Sequence, residues 1–250
     1  MSGHSKWATT KHQKGAKDKA RGKLFAKLIR QVEVAAREGG GDLAANAGLR
    51  TMYQKARDAS VPADTIDRAI KRGTGELEGV RYESVSYEGY APSGVAVIVE
   101  CLTDNRNRTG AEIRAVFSRN GGSMAEPGAV AWQFERKGLV AIPRAADEDT
   151  IMAVALDAGA QDLRDDGTEW TVVCEPAGLH VVRAALEAAG IPIDSAESQW
   201  LATTTVEVPE ASGARKVLHL LELLEDHDDV QLVAANFDIP DEILESIEET

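Results

Sequence analysis

Lys6, Lys11, Lys14, Lys17, Lys19, Arg21, Lys23, Lys27 and Arg30 place nine cations between Ser5 and Arg30, against one acid, Asp18. Trp7 lies among the first of them, flanked by His4 and His12. Ammonium and guanidinium groups displace counterions from a phosphate chain, and an aromatic ring stacks on a base, so this mixture suits nucleic-acid contact. Trp7 could equally anchor the segment on a following helix through its apolar body. The two histidines are eight residues apart with no cysteine nearby, a poor pattern for a metal.

A second group lies in "TDNRNRTG", Thr103 to Gly110, where Arg106 and Arg108 stand between the end of a strand and the start of a helix. Guanidinium groups at that place can fork onto phosphate or carboxylate, and helix N-terminal amides favour an anion there too. Local acids such as Glu112 compete for them. Thr109 and Glu112 read as a capping box opening a helix over Gly110 to Arg119, which Asn120, Gly121 and Gly122 stop. The block "NGGSMAEPGAVAW" is glycine-rich without phosphate-loop spacing and reads as a turn into a strand, "AVAWQFE". The sequence has no GxxxxGK[ST], GxGxxG after a strand, HExxH, CxxC or GxSxG. No catalytic residue, metal, cofactor or small-molecule substrate is expected.

These cations belong to an acidic chain, with 28 Lys and Arg against 41 Asp and Glu in 250 residues. Residues 1–75 hold 16 basic and 7 acidic residues, and the remainder 12 and 34. Solubility alone does not require such segregation, so the basic end is expected to meet a polyanion. From about Lys17 to Glu38, Leu24, Phe25, Leu28, Ile29, Val32, Ala35 and Ala36 mark one helix face. Lys19, Lys23, Lys27, Arg30 and Arg37 fall within roughly 80° on the other face and are expected to present charge. A second helix capped by Asp42 and a third opened by Pro62 and ending at Gly73 complete a small bundle. The residues before it lack apolar periodicity and read as a mobile arm that orders on its partner.

Beyond the bundle, "LVAIPRAADEDTIMAVALDAG", "WTVVCEPAGLHVVRAALEAAG" and "TTVEVPEASGARKVLHLLELLE" share a strand, proline, helix layout. Their prolines, Pro143, Pro176 and Pro209, are spaced by 33 residues each time. A fourth unit begins with the strand "GVAVIVECLT". Four strand–helix–strand units imply two split βαβ, ferredoxin-like domains. They pair either in a row or nested, and the very short joints near 136–138 and 202–203 favour nesting. The resulting division is a basic arm and helical domain over 1–78, a split α+β domain over 79–136 and 203–240, an inserted α+β domain over 137–202, and an acidic tail over 241–250. Cys101 and Cys174 lie inside apolar runs and read as small buried residues, in keeping with a reducing compartment. No run approaches the ~20 apolar residues of a membrane span. The basic start lacks a secretory apolar stretch; a mitochondrial transit peptide shares its charge, but it leads straight into a patterned helix, so a cytoplasmic location is expected.

The opening "GHSKWATTKHQKGAKDKARGKLFAKLIR", the loop "TDNRNRT" and the block "GGSMAEPGAVAWQFERKG", in that order, resemble the YebC/PmpR family over essentially the whole chain. That resemblance implies an all-helical first domain and two α+β domains, the third inserted in the second. It implies a protein that is not an enzyme. It points to a DNA-binding transcriptional regulator or, alternatively, to a ribosome-associated factor that contacts ribosomal RNA and relieves stalled elongation. The positions matching the first block are Lys6, Trp7, Lys11, His12, Lys14, Lys19, Arg21 and Lys23, and those matching the second are Asn105, Arg106, Asn107, Arg108 and Thr109. A basic arm docking an acidic protein is the remaining reading.

Overall fold

The computed structural model describes the backbone of residues 19–248. The described residues begin with three helices, α1 (Lys19–Gly39), α2 (Ala47–Asp58) and α3 (Ala63–Thr74). Leu28, Val32, Ala36, Leu49, Ala56, Val61, Ile66 and Ala69 form their shared core, with Phe25, Ile29 and Ala35 packed against it. The expected stripe of α1 is thus the packed face, except that Leu24 stays 46% exposed. Gly40, at φ +84°, turns the chain out of α1. Asn46, and not Asp42, caps α2: its Oδ1 accepts from the Leu49 amide while Nδ2 donates to the carbonyls of Ala35 and Gly40, each at 2.8 Å. Asp42 serves the preceding turn, accepting from the Ala44 amide. Helix α3 runs past Gly73 and is closed by Gly75 at φ +85°.

Residues 80–135 and 201–248 form one compact unit. It contains β1 (Glu83–Tyr90), β2 (Ala96–Thr103), α4 (Arg106–Arg119), β3 (Ser123–Ala125) and, late in the chain, β8 (Val206–Glu207), α7 (Ala211–Glu225), β9 (Val230–Ala235), β10 (Phe237–Asp238) and α8 (Asp241–Glu248). The strand order is β3-β1-β2-β9. Both β2 and β3 run antiparallel to β1, so α4 joins two parallel strands that straddle a third, a split βαβ arrangement. Val95, Val97, Val99 and Cys101 meet Ile113, Phe117, Leu220, Leu221 and Leu224 in its core. Two expectations change here. The strand before Pro209 is only β8, which pairs in parallel with β10 in a separate two-stranded sheet. The expected acidic tail folds as α8, because Leu244, 5% exposed, joins the core with Ile243 and Ile247 beside it.

The second unit combines residues 19–79 with 136–200. Between the two halves of the first sheet the chain inserts β4 (Phe134–Pro143), α5 (Glu148–Asp157), β5 (Asp162–Asp165), β6 (Glu169–Cys174), α6 (Leu179–Ala188) and β7 (Ser195–Ala202). The βαββαβ succession with order β5-β6-β4-β7 is ferredoxin-like. The first sheet has the same spatial layout, with β1 in the place of β6 but threaded at the front. Val140, Ile142, Ile151, Val172, Val182 and Leu186 fill the inserted core. Cys101 and Cys174 are free and buried, and burial pushes the Cys174 thiol up. No helix among the described residues is long and apolar enough to cross a membrane.

Candidate nucleic-acid interface

Lys6, Trp7, Lys11, His12, Lys14 and Lys17 lie outside the described residues, as does the side chain of Lys19. On α1, Arg21 is exposed with its guanidinium over the Phe25 ring, 5.4 Å from the centroid. Lys23, Lys27 and Arg30 are half-buried, and each has an interaction partner. The basic face of α1 is therefore more enclosed than its periodicity implies; α1 packs against both other helices. Glu33, 2% exposed, is held by Arg37 at 3.2 Å and by Arg72 of α3 at 2.9 Å. Those two arginines serve the bundle.

The outward face of α3 carries Asp64, Asp67, Arg68 and Lys71, all exposed and within about one-third of the helix circumference at 100° per residue. Two acids offset two bases there. That face has no net charge to steer a phosphate chain.

In the loop after β2, Asn105 caps α4, its Oδ1 accepting from the Arg108 amide at 3.1 Å. The expected capping box is absent, because Thr109 points inward. Its hydroxyl lies 2.7 Å from the Oδ2 of Asp229 and 2.7 Å from the hydroxyl of Thr103. Arg108 is drawn to the same carboxylate: its Nη2 is 2.6 Å from Asp229 and 3.0 Å from Asp104. The hydrogen bond and charge of Asp229 hold the Arg108 guanidinium above its ordinary value. Of the two expected arginines, Arg108 thus fixes the loop to its own domain. Arg106 is exposed; its carbonyl accepts from the Tyr87 hydroxyl at 3.2 Å.

Glu112, His227 and Asp229 bring three possible metal ligands together. Each is already engaged by protein groups. His227 Nε2 is 2.9 Å from Glu112, its Nδ1 accepts from the Asp229 amide at 3.2 Å, and a guanidinium already neutralises Asp229. The set suits holding the start of α4. A cavity of about 330 Å³ is lined by Glu207, Pro209, Asp238, Ile239, Pro240 and Asp241. Those side chains supply carboxylates without a nucleophile or a basic partner.

One buried group had no sequence signal. Glu88, on β1, accepts from the amides of Gly128, Val130 and Ala131 at 2.6, 2.7 and 2.9 Å. It bends the expected strand "AVAWQFE" into a 3₁₀ turn over Ala131–Gln133, and β4 begins only at Phe134. Trp132 on that turn is 69% exposed, with its indole N–H donating to the Ala129 carbonyl at 3.1 Å.

With this geometry in view, the chain matches two family models, the TACO1/YebC protein N-terminal domain over residues 5–76 and the TACO1/YebC second and third domain over residues 82–237. The chain belongs to the TACO1/YebC family. Among its TACO1/YebC relatives, one from Beutenbergia cavernae, described as "Probable transcriptional regulatory protein", is 55% identical over all of both chains. One from Thermobifida fusca with the same description is 55% identical over 99% of this chain and 100% of its own. The crystal structure of a conserved hypothetical protein from Aquifex aeolicus, 46% identical, superposes with a TM-score of 0.84 over 92% of this chain and 96% of that one. These matches place the chain in a family of regulatory proteins. The three-helix start of the described residues, followed by two sheet-and-helix domains, is the fold compared in the Aquifex aeolicus superposition.

Proposed function

We propose that this protein is a non-enzymatic, nucleic-acid-binding regulator of gene expression that works in the cytoplasm and contacts phosphate through its basic N-terminal segment. The carrying observation is the charge segregation: 16 basic and 7 acidic residues up to position 75, then 12 and 34. A phosphate chain is attracted by the first part and repelled by the second. The description "Probable transcriptional regulatory protein" of its relatives supports a DNA target. The contact set is the arm from Lys6 to Lys17, the first turns of α1 through Arg30, and Arg106; Arg108 contributes through loop position. The functional division follows: a contact module over 1–78, an acidic split domain over 79–136 and 203–240 to which α8 belongs, and an inserted domain over 137–202.

One observation favours the second reading, a ribosome-associated translation factor contacting ribosomal RNA. The charge-balanced outer face of α3 is ill suited to lying in a DNA groove, where recognition helices are flanked by phosphate-binding cations. A lysine-rich segment carrying an aromatic residue suits irregular RNA. Competition at physiological salt among a candidate promoter, random duplex and ribosomal RNA decides between them. Preference for the promoter by a factor of about 10³ or more establishes the DNA reading. Equal binding to both duplexes with tighter binding to RNA establishes the other, and absence of binding to all three overturns the proposal.

A further inference from the structure

The helical domain and the inserted domain, which share one compact unit, meet through two ion pairs of opposite sense. From α2, Lys55 bonds the Glu197 carboxylate on β7. One turn further along α2, Asp58 accepts from Arg183 of α6 at 3.1 Å. The helical domain therefore supplies one cation and one anion, and the inserted domain answers with the reverse.

Three of the four groups are positioned from within their own domain. Gln54 donates to Asp58 at 2.8 Å, Arg183 also bonds Glu187 at 2.8 Å, and Gln199 donates to Glu197. Exposed ion pairs usually contribute little because two long side chains must be immobilised to make them. Here that ordering is largely present before the domains meet, and the Arg183 and Glu197 side chains are only 17% and 22% exposed. The crossed signs also fix register. Advancing α2 by one turn would bring Asp58 toward Glu197, carboxylate against carboxylate, so a slipped docking is penalised as well as unrewarded.

We infer that Lys55–Glu197 and Asp58–Arg183 form a crossed electrostatic latch that docks the helical domain on the inserted domain in one register and that rising ionic strength releases. The latch is independent of what the basic arm binds. Its two pairs are few and partly solvated, so docking is reversible and sensitive to screening, which shortens to roughly 3 Å at 1 M salt.

The test uses the full-length chain with spin labels on Thr65→Cys of α3 and Met152→Cys of α5, both exposed; the buried Cys101 and Cys174 do not compete for label. The distance distribution is measured by pulsed electron resonance between about 0.05 M and 1 M salt. A single narrow population is expected at low salt, broadening as salt rises. Lys55→Glu or Glu197→Lys alone should lower the docked-to-released ratio about tenfold at low salt, and the Lys55→Glu/Glu197→Lys swap should restore it. Asp58→Lys with Arg183→Glu provides an independent swap, which also serves if either first variant folds poorly. A distribution that neither salt nor the single reversals change, or that neither swap recovers, overturns the latch.

Discussion

Thr109 and Glu88 are polar side chains whose sequence context gave no sign of their roles. Thr109 ends the run "TDNRNRT", in which several residues could open α4; packing decides, because the Thr109 hydroxyl is buried against Asp229, itself 5% exposed. We expect Thr109→Val to cost about 1 to 3 kcal/mol in urea unfolding, since it leaves a buried carboxylate short of a donor, and Thr109→Ser to recover most of that loss. A Thr109→Val variant as stable as the parent would mean that Arg108 alone satisfies Asp229. For Glu88, burial by itself pushes the carboxyl up, but the amides of Gly128, Val130 and Ala131 outweigh it and hold the group below the ordinary value of 4.5. A depressed folded-state value contributes stability above the unfolded value and loses it as pH falls through the folded one. Glu88→Gln should therefore be less stable than the parent by about 1 to 3 kcal/mol near neutrality, with the gap narrowing as pH drops below about 4.5. Unfolding midpoints at neutral and acid pH check the sign. The sequence could show neither role, because a glutamate in a strand looks like any solvent-facing residue until the loop that folds over it is known.

At the scale of elements, helices were readable and strands less so. The apolar repeat of α1 and the proline ahead of α3 located both helices, since a 3.6-residue period is a local property. β1 went unread because "ESVSYEGY" has one β-branched residue and pairs only through contacts distant in sequence, Glu83 with Thr103 through Tyr90 with Ala96. Gly73 gives the clearest test of local against tertiary control. Read alone, a glycine near a helix end is a stop; in the fold it lies inside α3, where a Cβ would come 2.3 Å from the Glu33 carbonyl oxygen and 2.8 Å from the Ala36 Cβ. Helix propensity favours Gly73→Ala by about 1 kcal/mol. The clash involves backbone of α1, which cannot rotate away, so we expect a net loss of about 1 to 3 kcal/mol with the helical domain melting earlier. Circular dichroism at increasing temperature reads the sign directly, and a stabilised Gly73→Ala variant would mean α3 can slide off α1 at little cost.

For the whole molecule, what the sequence revealed best was charge, because a count needs no fold. Apart from the family resemblance, nesting of the inserted domain showed only in the short joints, and the permuted threading of the first sheet had no local signature at all. The tail illustrates the limit: "DEILESIEE" is acidic enough to look solvated, yet Ile243, Leu244 and Ile247 fall on one side of α8 and pack on the core. The charge reading leads to a prediction at this same scale. Residues 1–18 carry four lysines and one aspartate. If the lysines sit on phosphates when the protein is bound, deleting this segment should make the logarithmic dependence of affinity on salt shallower by about 3 to 4 for duplex DNA, at roughly 0.9 per phosphate contact, and by slightly less for a single strand. Affinity near 0.1 M salt should fall by at least tenfold, whereas removing carboxylates from the exposed face of α5, as in Glu148→Gln with Asp149→Asn, should strengthen binding only slightly through the weaker long-range field. A deletion that lowers affinity without changing the slope would assign the segment a shape or stacking role through Trp7, while an unchanged affinity would move the phosphate contact to Arg21 and the rest of α1. The slope separates these outcomes because it counts counterions released, which neither fold stability nor base stacking alters.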